Sequence, residues 1–114
     1  MDLATQAKED GNRSYKRGVQ VKNKGYVQEA LKHYTEGCLH CLKAKETADT
    51  PEIRELHATL LSNRAACNLS LKNYGSVKRD CTDALKLAPG NLKALFRKAK
   101  VPFCPHVRPH THCR

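Results

Sequence analysis

The chain has 114 residues, of which 39% are hydrophobic and 28% are charged. This length excludes more than one small domain, and its core must be modest, because a domain of this size buries only about two-thirds of its unfolded surface. The formal net charge of +10 favours an anionic partner but does not choose among nucleic acid, acidic lipid and a carboxylate-rich peptide.

Helical periodicity predicts two helices in the first half of the chain. The first runs from Asp2, a good N-cap, to Arg17, with Gly18 as its C-cap residue. The second starts near Tyr26. Its apolar residues recur along one face, at Ala30, Leu31, Tyr34, Cys38, Cys41 and Leu42. These two helices form the first predicted hairpin.

Two further helices are predicted in the second half. Thr50 and Pro51 form an N-cap and N1 pair that opens a third helix, which stops near Asn73. The fourth helix spans about Gly75 to Leu87. These two helices form a second hairpin.

A fifth helix, LKALFRKAK, begins after its cap residue Asn91 and is ended by Pro102. No stretch of the sequence alternates apolar and polar residues with period two over more than a few positions. The predicted fold class is therefore all-α.

The sequence also repeats itself at an interval of 34 residues. TLLSNRAAC at 59–67 superposes on KALFRKAKV at 93–101. Four residues, Ala65, Tyr74, Ala84 and Pro89, fall on the small, aromatic, small and proline positions of the 34-residue tetratricopeptide unit. This period predicts antiparallel helix hairpins stacked as a right-handed superhelix, with about two repeats and one extra helix.

The same period sets the predicted domain boundaries. A single repeat domain covers 1–100, with repeat 1 at about 4–48, repeat 2 at about 51–90 and one helix of an incomplete repeat 3 at 91–100. Repeat 1 is longer than the unit, and we expect the insertion near KAKETADTPEIRE to add about two turns to each flanking helix. The Pro-, His- and Cys-rich segment 101–114 is predicted to be a disordered tail that replaces the rest of repeat 3.

Three motifs resemble the clamp-type tetratricopeptide domains of heat-shock co-chaperones: KEDGN at 8–12, SNRAA at 62–66 and KALFR at 93–97. The resemblance implies that five side chains line a concave groove and hold the two carboxylates of a chaperone's C-terminal Glu-Glu-Val-Asp tail. These are Lys8, Asn12, Asn63, Lys93 and Arg97. It also implies a non-enzymatic cytoplasmic adaptor without a cofactor, whose partners are seventy- and ninety-kilodalton heat-shock chaperones.

Residue spacing alone is consistent with such a groove. Lys8 and Asn12 are four residues apart on one helix, as are Lys93 and Arg97, so each pair projects from one face of its helix. Asn63 lies on the middle helix between the two pairs when the hairpins stack side by side. All five side chains donate hydrogen bonds, which is what a terminal aspartate with two carboxylates requires.

The sequence favours an adaptor over two other classes of function. Nonspecific nucleic-acid binding through the +10 charge is the alternative, but four Tyr, two Phe and no Trp leave few aromatic faces on which bases could stack. Tyr15, Tyr34 and Tyr74 have helical spacing and are interpreted as packing residues. An enzyme is disfavoured because no nucleophile with a nearby base and no Gly-rich phosphate loop can be assembled.

The six cysteines are interpreted as reduced thiols, because no signal peptide precedes them and four fall within helical patterns. Cys38 and Cys41 continue the apolar face of the second helix and are expected to pack there, with His40 between them exposed. The tail contains possible metal ligands, but their spacing matches no established site, and no metal is predicted. These are Cys104, His106, His110, His112 and Cys113.

An incomplete third repeat has consequences for stability. Each hairpin buries its apolar face on the next, so the outer face of the fourth and fifth helices is expected to stay open. We therefore expect marginal stability, a tendency to associate and weaker peptide binding than a complete repeat array would give.

Overall fold

The computed structural model describes residues 2–102. Within this range the chain forms five α-helices and no strand. They are α1 (Leu3–Val21), α2 (Lys24–Thr47), α3 (Pro51–Ser70), α4 (Tyr74–Leu87) and α5 (Leu92–Ala99). The all-α prediction is confirmed. Of the predicted tail 101–114, the part from 103 onward, which contains its cysteines and histidines, lies outside the described residues. Val101, at the start of the predicted tail, is partly buried and packs against the core.

The helices stack as hairpins in chain order. The α1–α2 and α3–α4 hairpins pack together mainly through α2 and α3, and α5 packs on α4 and α3. Contacts of α3 with α1 and with α5 bring the three odd-numbered helices side by side. This arrangement of hairpins agrees with the tetratricopeptide-like fold that the period predicts.

Three helix starts confirm the predicted caps. The Asp2 carboxylate accepts a hydrogen bond from the Thr5 amide at 2.7 Å. The Thr50 hydroxyl accepts from the Ile53 amide at 3.2 Å, with Pro51 in the first turn of α3. The Asn91 side chain accepts in the same way at the start of α5. Each cap satisfies one amide that the first turn leaves without a partner.

The predicted C-cap at Gly18 is wrong. Helix α1 continues to Val21, and Lys22, with φ of 54°, adopts the left-handed cap conformation. Gly18 is instead buried against α2, where a Cβ atom would lie 2.9 Å from Cγ2 of Val27. The glycine therefore allows two helices to approach closely, a role that local sequence cannot distinguish from a cap.

Other helix ends shift by a few residues. Helix α2 begins at Lys24, before the predicted Tyr26, because the Asn23 side chain caps it by accepting from the Gly25 amide at 2.8 Å. Helix α3 ends at Ser70 rather than near Asn73. Helix α4 begins at Tyr74, one residue before the predicted Gly75.

The long first repeat is helical, as expected for its insertion. Helix α2 has 24 residues and α3 has 20, with only 48–50 between them. Because α1 begins at Leu3, the last turns of α2 extend beyond it. The prediction that Leu42 belongs to the apolar face is wrong, because this residue is 48% exposed, as is Leu39 one turn earlier at 54%.

The cysteines of the described helices are core residues. Cys38 and Cys41 are buried free thiols, and burial raises the pKa of Cys38 to about 12 and that of Cys41 to about 11. Their predicted packing role is confirmed. His40 is only half-buried and was expected to be exposed. Over 2–102 no three potential metal ligands cluster, and no helix is long and apolar enough to cross a membrane.

An ion pair joins α3 to α4. Arg64 donates from Nε and Nη2 to the two carboxylate oxygens of Asp80, at 3.0 and 2.9 Å. Arg64 also reaches the Thr35 hydroxyl of α2 at 3.4 Å, and the Asn68 amide donates to Asp80 at 3.3 Å. The bidentate pair joins α3 to α4, and the additional contact of Arg64 with Thr35 joins both to α2.

The outer face of α5 is exposed. Leu92, Leu95 and Phe96 are 76%, 47% and 63% exposed, and only Ala94 of this helix is buried. We expect weak self-association through this face, since a stripe on an eight-residue helix falls short of the about 800 Å² per partner of a stable interface.

Self-association should increase with salt, which screens the repulsion between two chains of charge +10. Sedimentation velocity at low and high salt measures it, and Phe96→Ser should reduce it. The matched control is Leu39→Ser, because Leu39 is 54% exposed on α2. A chain that stays monomeric at every concentration and salt level would contradict the expectation.

Candidate functional site

One groove brings together all five residues that the motifs single out. It has a volume of about 370 Å³ and is bounded by α1, α3 and α5, with Tyr34 of α2 behind it. Its lining consists of Lys8, Asn12, Tyr15, Tyr34, Thr59, Asn63, Ala66, Lys93 and Arg97. The lining has three cationic side chains and no carboxylate, so the groove suits an anion.

Helix α1 contributes Lys8 and Asn12, one helical turn apart. Gly11 lies between them on the side that faces α2, and it is buried. A Cβ atom at Gly11 would lie 2.5 Å from Cε1 of Tyr34, so the tyrosine ring occupies the space that the glycine leaves. This close approach places the Tyr34 hydroxyl directly behind the Asn12 side chain.

The two asparagines and the tyrosine are hydrogen-bonded to one another. The Tyr34 hydroxyl donates to Oδ1 of Asn12 at 2.6 Å, and Nδ2 of Asn63 donates to the same oxygen at 3.3 Å. Tyr34 is 2% exposed, and this burial raises the pKa of its phenol. The phenol is protonated near neutral pH, and its hydroxyl donates to Asn12.

Helix α5 contributes Lys93 and Arg97, also one turn apart. Nη1 of Arg97 donates to the main-chain oxygen and to the hydroxyl of Ser62, both at 3.0 Å. Ser62 is fully buried in α3. Since both contacts use Nη1, the remaining N–H donors of the guanidinium are left for a ligand. Lys93 is exposed and adds a second positive charge at the same side of the groove.

The sequence interpretation missed two supporting residues. Tyr34 was interpreted as a packing residue, and it packs, but its hydroxyl also binds Asn12. Ser62 lies inside the SNRAA motif, yet nothing in its spacing indicated a contact with Arg97. Thr59 and Ala66 could have been found, because they lie four residues before and three after Asn63 on the same helical face.

A larger apolar groove lies apart from these residues. It has a volume of about 690 Å³ and is found where the last turns of α2 and the first turns of α3 extend past α1. Its lining includes Ala4, Cys41, Ile53 and Leu56 and none of the five predicted residues. Lys43 and His40 also line it, but most of its lining is apolar and Asp2 adds a carboxylate, so it suits a carboxylate ligand less well.

Sequence comparison finds relatives that are much longer than this chain. The chain is 35% identical over 100 residues to the rat mitochondrial import receptor subunit TOM70, which covers 88% of the chain and 14% of the relative. It is 37% identical over 92 residues to human sperm-associated antigen 1, covering 81% and 8%. It is 40% identical over 62 residues to the Hsp70/Hsp90 co-chaperone CNS1 of Saccharomyces cerevisiae, covering 54% and 16%.

The chain therefore spans less than a fifth of each of these three relatives. No protein-family model matches the chain, and no solved structure matches it.

Proposed function

We propose that this chain, which is a tetratricopeptide-repeat domain of the clamp type, is a protein-interaction adaptor for the acidic C-terminal tails of heat-shock chaperones. The ligand is a tail of the Glu-Glu-Val-Asp type on seventy- and ninety-kilodalton chaperones. Five side chains would hold its terminal aspartate: Lys8, Asn12, Asn63, Lys93 and Arg97. The observation that carries the proposal is their convergence, from three helices, on one groove without a carboxylate.

The chemistry of the groove matches a chain-terminal aspartate. Such a residue presents an α-carboxylate and a side-chain carboxylate, and each accepts several hydrogen bonds. Arg97 can bind one carboxylate in a bidentate manner, the lysines supply point charges, and the carboxamides supply short directional bonds. Charge-assisted bonds of about 1.5 to 3 kcal/mol each, offset by the entropy of association, correspond to an affinity in the micromolar range.

The relatives support the same class of function. One is named as a co-chaperone of Hsp70 and Hsp90, and another as a subunit of an import receptor. Both names describe proteins that act by binding other proteins, and neither describes an enzyme. By analogy we assign this chain a binding role without chemistry of its own, in the cytoplasm, where such a co-chaperone would meet its partners.

The test is a titration with three ligands at two salt concentrations. The ligands are a labelled Glu-Glu-Val-Asp peptide, the same peptide with a C-terminal amide, and a random oligonucleotide. We expect micromolar binding of the free acid and at least about tenfold weaker binding of the amide, which lacks one carboxylate.

The oligonucleotide arm tests the nucleic-acid alternative. If affinity follows the net charge alone, the oligonucleotide binds more tightly than the peptide, with a steep dependence on salt, and amidation of the peptide changes little. That pattern would replace the adaptor proposal with nonspecific binding to nucleic acid.

A further inference from the structure

The geometry of the groove leads us to propose that Tyr34 is a positioning residue for ligand recognition. Its hydroxyl fixes the carboxamide of Asn12 so that the amino group, and not the oxygen, faces the bound tail. The inference rests on the proposed function, because it concerns the same groove. The inference gives Tyr34, a buried core side chain, a second role: it makes the groove selective for a free carboxylate over an amide.

A carboxamide can offer either an acceptor or a donor to a ligand. The oxygen and the NH₂ group of Asn12 differ by a rotation of the terminal group, and an exposed asparagine can present either one. With the oxygen toward the groove, Asn12 would repel a carboxylate and would accept a hydrogen bond from the amide of a capped peptide. With the NH₂ group toward the groove, it donates to the carboxylate.

In the structure, the neighbours of Asn12 hold its side chain in the second orientation. An amide oxygen has two lone pairs, and the Tyr34 hydroxyl and the Asn63 amino group both donate to Oδ1 of Asn12, at 2.6 and 3.3 Å. That oxygen is therefore fully used on the protein side. Among the residues 2–102, nothing else contacts the side chain of Asn12 by a hydrogen bond, so its NH₂ group is available to a ligand.

Tyr34 is held more firmly than the groove side chains it serves. Its ring fills the space above Gly11, where even a methyl group would not fit, and only 2% of the residue is exposed. Burial also raises the pKa of its phenol. The rigid, buried hydroxyl of Tyr34 thus orients the carboxamide of the exposed Asn12.

The experiment combines Tyr34→Phe with Asn12→Ala in a double-mutant cycle. Tyr34→Phe removes one oxygen and leaves the ring against Gly11. We expect it to weaken binding of the free-acid peptide about fivefold, the equivalent of one net hydrogen bond, and to reduce the preference for the acid over the amide. In the Asn12→Ala background the same change should have almost no effect, because Tyr34 acts only through Asn12. Tyr74→Phe, on α4 and outside the groove lining, is the matched control and should leave binding unchanged.

An equal loss in both backgrounds would mean that Tyr34 supports the fold in general, and it would overturn the inference. So would an unchanged acid-to-amide preference in Tyr34→Phe.

A second measurement does not require the peptide. In NMR spectra of the unaltered chain, the Tyr34 hydroxyl proton should exchange slowly and be observable, and it should be lost in Asn12→Ala, a substitution at an exposed position. If the unaltered chain does not distinguish acid from amide, the proposed function fails, while a protected Tyr34 hydroxyl still supports the positioning contact. If that proton is absent or unaffected by Asn12→Ala, the positioning inference fails on its own.

Discussion

Replacing Arg97 with alanine should weaken binding of the Glu-Glu-Val-Asp peptide about 100-fold. Arg97 is the only residue of the groove lining that can bind a carboxylate in a bidentate manner, and two hydrogen bonds to Ser62 already orient its guanidinium. Removing one partner of a desolvated, hydrogen-bonded charge pair costs about 2 to 5 kcal/mol. Isothermal titration calorimetry measures the change.

Two further variants separate geometry from charge. Arg97→Lys keeps the positive charge but loses the planar fork, so most of the affinity should still be lost. Lys16→Ala removes one charge from α1 outside the groove lining and should leave the affinity within about twofold, as expected for exposed charges. If Lys16→Ala weakened binding as much as Arg97→Ala, the peptide would be responding to net charge, and the groove would not be its site.

Replacing Asp80 with alanine should lower the free energy of unfolding by about 3 kcal/mol. The substitution leaves the guanidinium of Arg64 without its bidentate partner and the Asn68 amide without an acceptor. Loss of one member of a buried pair costs about 3 to 5 kcal/mol, and the lower end applies because 23% of the Arg64 side chain is exposed. For a domain of this size, the melting temperature should fall by roughly 10 °C or more.

Asp83→Ala is the matched control for this substitution. It removes an acidic residue from the same helix, at an exposed position, and should change the free energy of unfolding by less than about 0.5 kcal/mol. Urea denaturation followed by circular dichroism measures both variants. Similar small effects in the two variants would show that the Arg64–Asp80 pair contributes little to the packing of α3 on α4.

Features that depend on neighbouring residues could be predicted from the sequence. The caps at Asp2, Thr50 and Asn91 are local, because each side chain bonds an amide three residues later. The helical character of the insertion was also predictable, since paired helices must lengthen together. Gly18 was misassigned because a glycine at a helix end and a glycine under a crossing helix have the same local pattern.

In the site, too, features set by local sequence could be predicted, and features set by helix packing could not. The 34-residue period relates α3 to α5, and the resemblance of three motifs to clamp-type domains implied that Lys8 and Arg97 line one groove. The contacts that orient the site could not be predicted, because Tyr34 is 22 residues from Asn12, and Ser62 is 35 residues from Arg97. Such pairs meet only through the packing of whole helices. Sequence periodicity gives the direction of a side chain, but not the buried atom behind it.

The exposed outer face of α5 couples self-association or partner binding on that face to peptide binding in the groove. Lys93 and Arg97 belong to this short helix, of which only Ala94 is buried. Any polypeptide that covered Leu92 and Phe96 would suppress local opening of α5 and hold its cations in register with those of α1. Binding of a polypeptide to the outer face of α5 would thus favour binding of a peptide in the groove. By thermodynamic reciprocity, each ligand would raise the affinity for the other by the same factor.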